Sequence, residues 1–211
     1  MDARTSAAKA TPKSGRTRAG ILAAAMRLFA SAGYHASTNG LIAAAAGLTR
    51  GAMLYHFPTR EGLIEAAVAY IDGERVKLFD AAAKRAPDPG TDATEHVIDA
   101  YWALLHETPF LAFAELEAAA RHDAVLAACL AETQSAYDHA QVGDRFLALA
   151  QAGDDPRFQT SRDLGRFLLE GLARGALTYD HAVRTERLLA VVKRAVRMLN
   201  RKGDLHDLWP D

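Results

Sequence analysis

The stretch with the most chemical content is Ser37-Thr38-Asn39-Gly40-Leu41-Ile42-Ala43-Ala44-Ala45-Ala46-Gly47-Leu48-Thr49-Arg50-Gly51-Ala52-Met53-Leu54-Tyr55-His56. Its hydroxyls and its single guanidinium are suited to hydrogen bonding and charge pairing with a polyanion. Arg50 can pair with a guanine edge or sit on a phosphate. Roughly two-thirds of protein–DNA hydrogen bonds go to the backbone, which favours phosphate. Bond-making chemistry has far less support. The eight histidines are His35, His56, His96, His106, His122, His139, His181 and His206, and none falls in H-E-x-x-H or another specific metal spacing. Glu115 and His122 stand two helical turns apart, a spacing common by coincidence. The sequence has no G-x-S-x-G, P-loop or G-x-G-x-x-G pattern. No catalytic residue, metal ligand or cofactor site is therefore assigned, and the chain is not expected to be an enzyme. Cys129 lies near Leu126 and Leu130 and reads as a small core hydrophobe rather than a redox sensor.

The elements that must position residues 37–56 are two short helices around a tight corner. Ser37 or Thr38 caps the first, because a hydroxyl accepts from a free backbone N–H. Ile42-Ala43-Ala44-Ala45-Ala46 continues it with an apolar side. Gly47 ends it, since such a corner needs positive φ, which glycine adopts cheaply. Leu48 plugs the corner. Thr49 caps the second helix, which ends near His56 because Pro58 forbids continuation. Ala43 and Gly47 are small enough to let the helices cross closely, and Leu48 and Met53 supply the inner apolar face. This is the grammar of a helix-turn-helix whose second helix is free to enter a major groove. An ordinary αα-corner of a helical bundle is the competing interpretation.

The flanking charge bears on that choice. The chain has 211 residues and a formal net charge of −1. Residues 1–60 carry eight Lys/Arg against the single acid Asp2, a net +7 that leaves the other 151 residues at −8. A basic head on an acidic body suits a polyanion at one end only. A helical module that binds a small molecule or is purely structural, without DNA contact, fits this asymmetry less well. Many alanines and leucines make an all-α protein the expectation. The single cysteine rules out an internal disulfide and fits a reducing cytoplasm. No uncharged apolar run approaches the roughly 18 residues needed to span a bilayer, and no apolar stretch with a cleavage site follows the basic start.

Taken in order, residues 1–15 read as a disordered basic arm. A helix over about 16–32 carries Ile21, Leu22, Ala25, Leu28 and Phe29 as one stripe, and Gly33 ends it. Tyr34 packs back beside Phe29 rather than offering its hydroxyl to a phosphate. After the corner, Phe57 closes a three-helix unit. A long helix over about 60–84 then links this head mechanically to the rest. Pro87-Asp88-Pro89-Gly90 is a clear break, and Asp92 with Glu95 starts the next helix as a capping-box-like pair. Pro109 marks a further break, followed by a helix over 110–120. Residues 123–150 form one long helix or two. Two helices remain, over about 161–179 and 185–201. On them Leu164, Phe167, Leu168, Gly171, Leu172 and Gly175, with Leu188, Leu189, Val192 and Val196, form apolar faces suited to a symmetric four-helix dimer interface. Gly171 and Gly175 suggest a close helix–helix approach. Tyr70, Tyr101, Trp102, Phe110, Phe113 and Tyr137, with His106 as a polar handle, are candidates to line a cavity for an apolar or aromatic ligand. At any one of these positions a core role is the simpler alternative.

The pieces Ile21-Leu22-x-x-Ala25, Leu28-Phe29, Gly33-Tyr34, Ser37-Thr38, Ile42-Ala43-x-x-Ala46-Gly47-Leu48-Thr49-Arg50-Gly51 and His56-Phe57-Pro58-Thr59-Arg60-Glu61 together resemble the DNA-binding domain of TetR-family transcriptional regulators. The resemblance covers about residues 16–75. It implies a homodimer of about nine helices per subunit, with a helix-turn-helix at 37–56 in a DNA-binding domain at 16–75 and an effector-binding and dimerisation domain over 76–211. It implies a cytoplasmic repressor of a palindromic double-stranded DNA operator, released by a small-molecule effector. It assigns the DNA contacts to Ser37, Thr38, Asn39, Thr49, Arg50, Gly51, Met53, Tyr55, His56 and Arg60. Arg60 takes the place usually held by a phosphate-binding lysine at the start of the fourth helix. Two positions depart from the family pattern. Leu54 stands where many members have tyrosine, with Tyr55 beside it. Asn39-Gly40-Leu41 puts a glycine into the first turn of the helix, which predicts a late start.

Overall fold

The computed structural model describes residues 12–137, 156–176 and 182–200. Among the described residues the regular structure is all helical, in nine segments: α1 Pro12–Ala32, α2 Asn39–Ala45, α3 Arg50–His56, α4 Arg60–Ala83, α5 Ala93–Leu104, α6 Thr108–Ala120, α7 Ala124–Tyr137, α8 Pro156–Ala176 and α9 Ala182–Asn200. The all-α architecture of about nine helices is thus the one expected.

Local chemistry sets most boundaries. The described part of α1 begins at Pro12, so residues 12–15 are helix rather than part of a disordered arm. Residues 1–11 of that expected arm lie outside the described residues. Gly33 ends α1 at φ +82°, a backbone conformation that strains any L side chain, and a Cβ there would stand 3.3 Å from Glu115 Oε2, so glycine is favoured. Thr59 caps α4 by accepting from the Gly62 N–H at 3.1 Å. Asp92 caps α5 by accepting from the Thr94 and Glu95 N–H groups. The break expected at Pro109 falls at residues 105–107, between α5 and α6, and Pro109 itself sits in the first turn of α6, where proline is tolerated. Asp123 caps α7, accepting from the Leu126 N–H at 2.9 Å. The rest of the helix expected over 123–150 lies outside the described residues beyond Tyr137.

The described chain falls into two compact units, and neither is a single run of sequence. The first comprises residues 12–73 with 111–131. Its core takes Ile21, Leu22, Ala25 and Phe29 from α1, Ile42 and Ala43 from α2, and Met53 from α3. Phe57, Leu63, Val68, Ile71, Phe113, Leu116, Leu126 and Leu130 complete it. Cys129 packs half-buried against this cluster. The second unit comprises 74–110 with the described residues after 131, and its core is Phe79, Ile98, Tyr101, Leu104, Phe110, Leu169, Val192 and Val196. Lys193 to Asp99 at 2.6 Å and Arg197 to Glu95 at 2.9 Å tie α9 to α5 at the surface. Such exposed pairs add little, so packing holds this unit.

The last two helices differ from the expectation in a definite way. Val192 and Val196, expected on a dimer face, are buried in their own unit's core against Leu169. The close approach of α8 and α9 is at Gly165, where a Cβ would meet Val196 Cγ2 at 3.4 Å; Gly171 and Gly175 border open space. Of the other residues named for that face, Leu164, Phe167, Leu168, Gly171 and Leu188 are exposed. Leu172, Gly175 and Leu189 are half-buried, Leu189 against the second core.

Candidate nucleic-acid interface

The helix-turn-helix is built from local bonds outward. Thr38, not Ser37, caps α2, its Oγ1 accepting from the Leu41 N–H at 3.3 Å. α2 therefore starts at Asn39, without the delay that Gly40 predicts. The Ser37 hydroxyl instead donates to the Gly33 carbonyl at 2.7 Å, and the residue is fully buried. Ser37 is thus a brace of the α1–α2 loop and cannot reach a phosphate in this arrangement. At the corner Gly47 adopts φ +70°, and the Leu48 N–H returns to the Ala43 carbonyl at 2.9 Å. Thr49 caps α3, its Oγ1 accepting from the Ala52 N–H at 3.2 Å.

On α3 the side chains separate cleanly. Met53, assigned to the DNA-contact set, has no exposed surface and packs in the first unit's core. It holds the helix in place rather than touching a partner, because it lies on the side of α3 that faces that core. Thr49, Arg50, Gly51 and Ala52 are exposed, and Tyr55 is 81% exposed. The Tyr55 ring meets the His56 ring edge-on at 5.3 Å. An exposed tyrosine of this size has no packing reason to be there, whereas Met53, Phe57 and Ile42 already fill the inner side.

Two arginines anchor this arrangement from other segments. Arg18 of α1 donates to the His56 carbonyl at 3.1 Å, and its guanidinium lies 4.1 Å from the centre of the Phe57 ring. It closes the C-terminal end of α3, and nothing in the sequence pattern distinguished it from the other basic residues of α1. Arg60 Nη1 donates to the Ser37 carbonyl at 2.7 Å and to Asn39 Oδ1 at 3.0 Å, while Nη2 reaches the Tyr34 carbonyl at 3.4 Å. Arg60 is half-buried and directed at the start of α2. Tyr34 packs beside Phe29, ring centres 5.9 Å apart, and its hydroxyl donates to Asp123 Oδ2 at 3.4 Å. Burial, and then the Asp123 carboxylate, raise the Tyr34 phenol above its ordinary value near 10.

The electrostatics favour a polyanion. No carboxylate occurs between Ala3 and Arg60, so nothing in α1, α2 or α3 competes for the exposed cations. Lys13, Arg16, Arg18, Arg27 and Arg50 are all exposed. Among the described residues no group of three or more His, Cys, Asp or Glu comes together to hold a metal ion.

The residues considered for a ligand cavity are divided. Tyr70 and Phe113 belong to the first unit; Tyr101, Trp102, His106 and Phe110 belong to the second. Tyr101 and Phe110 are core, meeting edge-to-face at 6.3 Å, and the Tyr101 hydroxyl donates to Glu170 at 2.8 Å. His106 is exposed, with Nδ1 2.8 Å from the Trp102 carbonyl and its ring against the indole. The Tyr137 side chain lies outside the described residues.

Residues 21–67 match the family described as bacterial regulatory proteins, tetR family. A comparison with curated protein sequences finds no match. Solved structures share the fold along most of their length. A Rhodococcus sp. protein assigned to the TetR-family transcriptional regulators aligns with TM-score 0.65 and 24% identity, covering 88% of this chain and 98% of its own. A member of the TetR family from Streptomyces coelicolor A3 aligns with TM-score 0.57 and 26% identity, covering 84% and 96%. The multidrug binding protein EbrR, complexed with proflavin, aligns with TM-score 0.55 and 24% identity, covering 84% and 98%.

Proposed function

We propose that this chain is a TetR-family regulator, a homodimeric, ligand-released repressor reading a palindromic operator; the match over residues 21–67 to the tetR family of bacterial regulatory proteins and the fold it shares with these structures support that reading. The coarse role is that of a DNA-binding transcriptional regulator. Residues 16–75 are the DNA-binding domain and 76–211 the effector-binding and dimerisation domain, in a protein that works in the cytoplasm. Among the described residues no helix is long and apolar enough to cross a membrane.

One observation carries this reading: α3 is capped by Thr49, anchored inward by Met53, and bare on the side bearing Arg50, Gly51 and Tyr55. A helix held so, in a segment free of acids, is suited to lie in a major groove with Arg50 on phosphate or a guanine edge. Thr38, Thr49 and Tyr55 are exposed and His56 half-buried, and their polar groups are suited to backbone contacts. Two such helices read a palindrome only if two copies associate. The exposed apolar side chains of α8 and α9 support that association, since a lone subunit would leave Phe167 60% and Val191 63% exposed to water. An apolar or aromatic effector is assigned to the body, where Tyr101, Trp102 and Phe110 cluster with His106. The proflavin complex of EbrR supports that choice of ligand class.

The test is selection of bound duplexes from a randomised DNA pool, followed by anisotropy titration at several salt concentrations and by sedimentation. A two-fold symmetric site, an affinity that falls steeply with salt and a particle of two chains are the expected results. A single-chain particle indifferent to duplex DNA overturns the reading.

A further inference from the structure

We propose that Arg60 serves DNA binding as a positioning residue: it holds the start of α2 through Tyr34, Ser37 and Asn39, and does not itself lie on a phosphate. This rests on the DNA-binding reading above and departs from the role that the family pattern assigns to that position.

The argument begins with α2. It is seven residues long, carries Gly40 in its first turn and contributes only Ile42 and Ala43 to the core. A helix so short does not hold itself, because nucleation costs more than its few backbone bonds return. Glycine weakens it further. Its orientation nevertheless sets that of α3, which follows across a corner of four residues, Ala46 to Thr49. A tether from outside is required, and Arg60 is that tether. Its planar fork meets two acceptors with one nitrogen, the Ser37 carbonyl at 2.7 Å and Asn39 Oδ1 at 3.0 Å. The second nitrogen reaches the Tyr34 carbonyl at 3.4 Å, and the guanidinium lies 5.3 Å from the centre of the Tyr34 ring. Ser37 is fully buried, so swinging Arg60 out to a phosphate would strip a charge-assisted bond from a carbonyl on a residue that water does not reach. Lysine carries its three donors on one nitrogen of a flexible stem and lacks the planar fork that reaches these acceptors from two nitrogens.

The two roles separate in experiment. The probe is the duplex selected by the wild-type protein, with a mixed-sequence duplex as control. A residue lying on phosphate gives up about 0.9 of the log–log salt slope when removed, and lysine restores it. A positioning residue behaves otherwise. Arg60→Ala and Arg60→Lys should both lose about tenfold or more in affinity for the selected duplex, the size of one charge-assisted bond, with the Arg60→Ala slope at wild-type value. Asn39→Ala should weaken binding in the wild type but add nothing in the Arg60→Ala background. Amide exchange read without DNA should show Leu41 and Ile42 opening faster in Arg60→Lys, while Phe29 and Ile64 keep their protection. Wild-type affinity in Arg60→Lys, or unchanged exchange in α2, overturns the proposal. If the wild-type protein binds no duplex at all, the function reading fails, while the exchange measurement still decides whether Arg60 holds α2.

Discussion

The two units bury their apolar side chains to different degrees. In the first, Ile21, Leu22 and Phe29 of α1, Met53 of α3 and Leu63 and Ile64 of α4 face inward, Arg50 and Tyr55 reach solvent from α3, and the exposed large hydrophobics Leu41, Leu111 and Val125 lie on three different helices. In the second, Val192, Val196 and Leu169 make a core while Phe167, Leu168, Val183, Val191 and Met198 of the same two helices remain exposed. The first unit presents cations and hydroxyls around α3 and offers a chemical surface. The second gathers its exposed large hydrophobics on α8 and α9 and offers an adhesive one. One is suited to a charged, hydrated partner and the other to a copy of itself, because phosphate is met by cations and hydroxyls whereas apolar surface is covered only by apolar surface.

That contrast can be broken most forcefully at the first core. Phe57→Ala should cost about 3–5 kcal/mol, a large share of the stability of any small domain, and lower the thermal midpoint seen by circular dichroism. A small loss would mean that the first unit is not closed in the way described. Next comes Phe167→Glu on α8. It should leave the melting of a single chain nearly unchanged but convert the sedimenting particle from two chains to one. Operator affinity should fall by about 100-fold or more as two heads cease to act together. If the particle stays paired, the exposed face of α8 and α9 has another purpose.

Smaller effects sharpen the exposed surface of α3. Arg50→Ala should weaken operator binding by about 1–3 kcal/mol, and Tyr55→Phe by less, with no change in melting temperature for either. Equal affinity for both variants and wild type in a gel-shift titration removes these residues from the interface. Thr49→Ala should differ from both by also costing about 1 kcal/mol of stability through the lost cap. The smallest effect is at alkaline pH. Because the folded Tyr34 phenol titrates above its unfolded value, its contribution is complete below pH about 10 and is lost as pH rises through the higher folded value. Tyr34→Phe should therefore flatten the fall in stability above that pH, read from denaturant midpoints.

Much of the first unit was legible because its signals are local. Thr49 and Gly47 act within four residues of themselves, and the structure places both as their types predict. Periodicity likewise assigned Ile21, Leu22, Ala25 and Phe29 to one buried stripe. The misreadings were of another kind. Met53 reads from the sequence as part of the inner apolar face, yet it was also placed among the DNA contacts, and its burial against the neighbouring helices leaves only the first role. Val192 and Val196 share a stripe with Leu188, but α5 and α8 cover the first two and leave the third exposed.

Sequence alone determined the Thr49 and Asp92 caps, the glycine stops, the corner and the sign of the charge along the chain, since caps, positive-φ glycines and composition depend on few neighbours. Only the tertiary structure decided where long polar side chains go. Arg60 meets acceptors 21 to 26 residues away, Arg18 closes a helix 38 residues on, and Tyr34 reaches Asp123 across 89. A flexible cation has many possible partners along a chain, and which it takes is settled when packing brings a buried carbonyl within its reach.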